Sequence, residues 1–173
     1  MWKPTRRILI AFVIATLAGT GLHFLYTLFP NPLTALISPV NESLWEHIKI
    51  LFWPYLVAAL VVTKGGGKGV KAPWMASLLL LCLLMLGIGY VYYFKMQGES
   101  MAFGVGLYVL LMAAGFLLLP GLLWKLATWS WVDAIFLTTI IVAVAIPLFT
   151  FLPPNQVLFA DLSSVNTFAT IPY

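Results

Sequence analysis

The sequence predicts an all-α polytopic membrane protein: one domain, a bundle of five transmembrane helices, with the N-terminus inside and the C-terminus outside. Three observations carry this. Of 173 residues, 62% are hydrophobic and 8% charged, against about 25% charged in an ordinary soluble domain, too little polar surface for a water-soluble fold. Five runs, 8–29, 44–63, 74–94, 101–124 and 131–152, are long and apolar enough, since about 20 apolar residues cross a hydrocarbon core. The basic residues also alternate with the runs. Lys3, Arg6, Arg7, Lys64, Lys68, Lys71 and Lys125 fall on one side of the predicted bundle and only Lys49 and Lys95 on the other, which puts the first side in the cytoplasm.

The first run follows "MWKPTRRILI". That basic start resembles a signal peptide, but the apolar run is too long for one and no small-residue cleavage site closes it, so a retained helix is expected. One side of it carries Thr16, Gly19, Thr20, His23 and Tyr26, small and polar residues that admit a close neighbour. The linker "FPNPLTALISPV" has three prolines and no charge and is expected along the interface or tucked among the helices. Ser38 and Pro39 are the expected opening of the second helix, with Asn41 as the alternative cap. Glu42 then falls in or near a first turn whose dipole favours an anion.

"TKGGGKGVKA" joins the second and third helices on the basic side and is a candidate contact for anionic lipid. The lone Cys82 lies mid-helix and reads as an inert buried thiol. "GIGYVYYF" reads as an outer aromatic belt and Trp124, Trp129 and Trp131 as its cytoplasmic counterpart, with Asp133 expected to pair with Lys125. "GVGLYVLLMAAG" reads as small-residue packing and not as a nucleotide loop. Pro147 is expected to kink the fifth helix and free a carbonyl one turn earlier. The tail, 153–173, has Asp161 as its one charge; it is apolar enough to stay against the protein, and if it folds back over the bundle mouth Asp161 joins the polar group there.

The polar chemistry is concentrated in "SPVNESLWEHIKI", residues 38–50, together with His23, the other of two histidines. At about 100° per residue Glu42, Glu46, Lys49 and Trp53 share a stripe, with His47 about 100° away beside Ser43 and Ile50. Each ionisable group in a span costs about 2.5–3.5 kcal/mol on insertion scales, so a shared outward-facing pocket is expected. In it His23, His47, Glu46 and Asp161 are candidate ligands for a divalent metal such as zinc, Glu46 and Glu42 candidate catalytic carboxylates, and Asn41, Ser43, Lys49 and Tyr26 supporting residues. The spacing "ExxxEH" is not the HExxH zinc signature. The other readings are a Glu46–Lys49 interfacial ion pair with Glu42 as a cap residue and hydrogen-bonded histidines, a metal-free acid/base or ion-coupled site, and a haem held by both histidines with Gly19 and Gly21 making room. The formal charge of +4 reflects sorting across the membrane and not affinity for nucleic acid.

"HFLY" and "NESLWEHIK" together resemble a family of small bacterial integral membrane proteins typified by a histidine near the end of the first helix and N-E-S-x-W-E-H-x-K opening the second. The matching positions are His23, Tyr26, Asn41, Glu42, Ser43, Trp45, Glu46, His47 and Lys49. The resemblance covers nearly the whole chain and implies a multi-pass protein of the bacterial cytoplasmic membrane whose polar string is the family's mark; it supplies no activity. The expected function is cation or divalent-metal binding in the pocket, supporting hydrolysis of a lipid-linked or small extracytoplasmic substrate, with membrane lipids as partners. Its rivals are an ion-coupled transporter using Glu42 and Glu46, and a non-catalytic membrane subunit that docks a partner.

Overall fold

Backbone N–H and C=O groups in an apolar run must be satisfied within the segment itself, which makes each run a helix. The computed structural model describes residues 5–124 and 129–163, and among them it is helical with no strand. The elements are α1 (Arg6–Leu28), the single turn α2 (Pro32–Ala35), α3 (Leu44–Val62), α4 (Lys68–Tyr90) continued by a π-helical turn (Val91–Lys95), α5 (Met101–Leu117), α6 (Leu119–Leu123) and α7 (Trp129–Phe151). A 3₁₀ turn, Val157–Phe159, follows. Lys3, Lys125, the Trp129 side chain and the tail beyond residue 163 lie outside the described residues.

Among the described residues four helices are long and apolar enough to cross a membrane: α1, α3, α4 with its π turn, and α7. The fourth predicted run, 101–124, is divided. Leu118 leaves the helical region at φ −123°, ψ −57°, separating the 17 residues of α5 from the five of α6. Pro120 is the cause, since it cannot donate to the Phe116 carbonyl and its ring crowds that turn; in the first turn of α6 its missing N–H is harmless.

The opening of the second predicted helix also differs. Residues 38–43 are not helical; α3 begins at Leu44 with Ser43 as its cap, the Ser43 hydroxyl accepting the Glu46 N–H at 3.3 Å. Neither Ser38 nor Asn41 caps it. Asp133 pairs with Lys68 at 2.6 Å, an exposed contact joining the starts of α4 and α7.

α3 is the centre of the bundle, packing against α1, α4, α5 and α7, with ten of its 19 residues buried. By contrast Leu9, Ile10, Val13, Ile14 and Leu17 of α1 are exposed, as are Leu137, Ile140, Ile141 and Val144 of α7. Apolar faces of this extent suit a lipid environment. Pro54 leaves the Ile50 carbonyl without its helical donor. Gly19 faces that carbonyl so closely that a Cβ there would collide with it and with the Tyr108 hydroxyl, which donates to the Thr16 carbonyl at 2.9 Å.

Gly19→Val should therefore lower stability by about 1–3 kcal/mol through overpacking. Gly21→Ala, where a Cβ meets nothing within 4 Å, should leave the thermal unfolding of the detergent-solubilised protein unchanged or raised.

Candidate metal centre

The site is assembled by the stretch between α1 and α3. Asn31 opens α2, its side-chain oxygen accepting the N–H groups of Leu33 and Thr34 at 2.9 and 3.1 Å, with Pro32 at the first helical position. The chain then tucks inward at Ser38, which is wholly buried. The Ser38 hydroxyl donates to the Leu22 carbonyl at 2.6 Å and accepts the Tyr26 N–H at 2.9 Å, so it bridges the two groups that one turn of α1 would otherwise join directly. This clamp sits on the turn of α1 that carries His23.

The second clamp comes from α3. Lys49 is 0% exposed and Glu46 3%. The Lys49 ammonium donates to Glu46 Oε2 at 2.6 Å and to the carbonyls of Ala35 and Ser38 at 2.7 and 3.1 Å, which satisfies all three of its protons. Glu46 Oε2 also accepts the Val40 N–H at 2.9 Å, and Oε1 accepts the Thr150 hydroxyl of α7 at 2.8 Å. Glu46 and Lys49 thus form the expected i, i+3 pair, buried and closed around the linker.

Because α3 starts only at Leu44, Glu42 is not on the helical stripe of Glu46. It lies on the loop just ahead of the cap, half exposed, and its carboxylate turns to the histidines: Oε2 is 3.3 Å from His47 Nε2 and Oε1 is 3.8 Å from His23 Nε2. The imidazole rings lie 5.3 Å apart. One ligand atom from each of His23, Glu42 and His47 lies within 4.8 Å of the others.

His47 Nδ1 is 2.8 Å from the Ser43 carbonyl oxygen. That oxygen can only accept, so Nδ1 carries a proton and Nε2 is the nitrogen turned toward Glu42. Histidine ligands are commonly oriented through such a bond on the other ring nitrogen. Among the described residues, His23 Nδ1 is buried without a hydrogen-bond partner. The hydrogen bond from His47 holds the Glu42 carboxyl below its ordinary range; burial opposes this, and the charges of His47 and His23 reinforce it.

The remaining sequence candidates stand around this group and not within it. Glu46 faces Lys49, one helical stripe away from His47, and both its carboxylate oxygens are engaged. Asp161 does reach the loop, but it accepts the Glu42 backbone N–H at 3.2 Å and the Ser163 N–H and hydroxyl at 3.0 and 2.8 Å. Asn41 accepts the Ser43 N–H at 3.0 Å, and Tyr26 contributes its backbone to the Ser38 clamp. The tail is seated by Phe159, whose ring packs 5.1 Å from that of Trp45, itself packed 5.4 Å from Phe149. Sequence reasoning missed Ser38 as an inserted hydroxyl and Thr150 as a Glu46 partner. The signals were a lone serine in an uncharged linker and a threonine one turn beyond Pro147.

The chain belongs to a family of unknown function (DUF6512), which it matches over residues 1–167. Neither the curated proteins nor the solved structures contain a match to it.

Two outcomes follow from this geometry. Lys49→Met alone strands a buried carboxylate and should destabilise by about 3–5 kcal/mol, whereas Glu46→Gln with Lys49→Met should recover a large part of that loss, read by denaturant unfolding in micelles. For Glu42 the folded carboxyl titrates below its unfolded value, so its contribution is present above the ordinary carboxylate range and fades as pH falls through the lowered one. The gap in unfolding temperature between wild type and Glu42→Gln should accordingly shrink as pH falls below the ordinary glutamate value of about 4.3.

Proposed function

We propose that the protein is a five-span membrane protein, N-terminus in the cytoplasm, whose outward end holds a divalent metal, zinc in the first instance, on His23, Glu42 and His47. The spans are the four long helices together with α5 and α6 taken as one broken crossing. Arg6, Arg7, Lys64, Lys68 and Lys71 at the opposite end support that orientation. The bacterial cytoplasmic membrane is the location this implies.

One observation carries the metal reading. With Nδ1 of His47 committed to the Ser43 carbonyl, an unprotonated Nε2 would set its lone pair against a carboxylate oxygen 3.3 Å away. Two acceptors at that distance require a positive charge between them, a proton or a metal ion. Tetrahedral zinc with ligands at about 2.0–2.1 Å places its ligand atoms about 3.3–3.4 Å apart; the Glu42–His47 pair meets this at 3.3 Å, the Glu42–His23 pair is wider at 3.8 Å, and all three atoms lie within 4.8 Å of one another. Glu42, on a half-exposed loop, is the ligand with room to close the rest.

Two histidines and a glutamate make an open three-ligand set, the kind that leaves a position for water. Hydrolysis of a lipid-linked or small extracytoplasmic substrate is the chemistry this supports best. The ion-coupled carrier is less well supported, because Glu46 is already neutralised by Lys49.

Full-length protein in detergent, loaded with zinc and desalted, should retain about one zinc per chain by elemental analysis, and His23→Ala and His47→Ala should lose it while still folding. Retention should fall on acidification, since protons compete for the same imidazole nitrogens. A folded wild type that retains no metal overturns the reading in favour of a protonated His–Glu–His cluster.

A further inference from the structure

Two of the three proposed ligands are held by regular structure and one is not. His23 and His47 sit on α1 and α3, whose backbone hydrogen bonds fix where each imidazole starts. Glu42 lies ahead of α3, where the backbone takes its hold from side chains: the Val40 N–H is held by Glu46 Oε2 at 2.9 Å and the Ser43 N–H by Asn41 Oδ1 at 3.0 Å. Between them the Glu42 N–H goes to Asp161 Oδ1 at 3.2 Å, an acceptor 119 residues further along the chain.

Asp161 is itself fixed from two sides. The same Oδ1 accepts the N–H and the hydroxyl of Ser163 at 3.0 and 2.8 Å, which sets the direction of the carboxylate. Upstream, the 3₁₀ turn Val157–Phe159 closes with the Ala160 N–H on the Val157 carbonyl at 3.2 Å. Its Phe159 ring lies 5.1 Å from that of Trp45 and 5.9 Å from that of Phe149, so it wedges between α3 and α7. Wedge and carboxylate together grip the opening of α3 at two points, one of them Glu42 itself.

A carboxylate on a free loop samples many directions, and holding it in place before the ion arrives removes that ordering cost from binding. We infer that Asp161 is a positioning residue for the metal centre: through the Glu42 N–H it aims the Glu42 carboxylate at His23 and His47, and residues 157–163 are the strap that carries it there. The inference rests on the metal reading. What it requires of residue 161 is an acceptor at the Oδ1 position and not a negative charge, so asparagine, which keeps an oxygen there, replaces aspartate and alanine does not. Glu42 is half exposed, so in the alanine variant water meets the released N–H and the fold is little changed.

Full-length protein in detergent, titrated with zinc against a chromophoric chelator, should bind about tenfold more weakly as Asp161→Ala, with thermal unfolding of the metal-free protein unchanged, and Asp161→Asn should bind as wild type does. A second readout needs no metal. With isotope-labelled histidine, the His47 Nε2 resonance of the metal-free protein should move in Asp161→Ala in the direction it moves in Glu42→Gln, and Asp161→Ala should add nothing further in the Glu42→Gln background. Zinc affinity unchanged in Asp161→Ala, or Asp161→Asn as weak as Asp161→Ala, overturns the proposal. A wild type that binds no zinc removes the metal centre alone; the positioning of Glu42 by Asp161 then stands if the His47 resonance moves as stated and falls if it does not.

Discussion

Removing an ammonium and a carboxylate from water is unfavourable by several kcal/mol for each ion, and a buried pair is tolerated only when every remaining proton and lone pair is met. Lys49 and Glu46 meet that condition through partners drawn from four parts of the chain: the end of α2, the linker at Ser38 and Val40, α3 itself and Thr150 of α7. Those partners could not be supplied by water or lipid. The pair therefore dictates where the uncharged linker must run, and everything at this end of the bundle is built on that path.

The linker in turn decides what Glu42 does. With Val40 held by Glu46 and Ser38 inserted into α1, the chain arrives at Ser43 from one direction only, and the Glu42 N–H meets Asp161. Its carboxylate is left to face His23 and His47. The two glutamates of the string thus have separate duties, Glu46 buried and structural, Glu42 half exposed and available. That division arises because α3 begins after Glu42, and a helix opened at Ser38 would have placed both on one face.

The rest of the bundle shows the same dependence on defects in regular helices. Pro54 frees a carbonyl that Gly19 is small enough to approach, and Pro120 breaks the fourth apolar run. In an apolar surrounding each backbone group freed by such a break has to be met by protein. Where protein covers it, as at Gly19, the helices lock.

The all-helical class, the apolar faces and the concentration of polar residues in 38–50 were legible, because they depend on composition and on periods that a linear chain displays, whereas the break of the fourth run at Leu118 was not. The Glu46–Lys49 pair was legible too, being three residues apart on one helix. The meeting of His23 with Glu42 and His47, the withdrawal of Glu46 from that group and the seating of Asp161 on a backbone N–H were not. They depend on where α3 starts and on contacts between residues up to 119 positions apart. By itself the sequence determined an all-helical chain, with helices long and apolar enough to cross a membrane and its polar residues concentrated in one stretch. Only the tertiary structure decided which polar groups face each other, because a buried ion pair must recruit whatever donors and acceptors the folded chain brings to it.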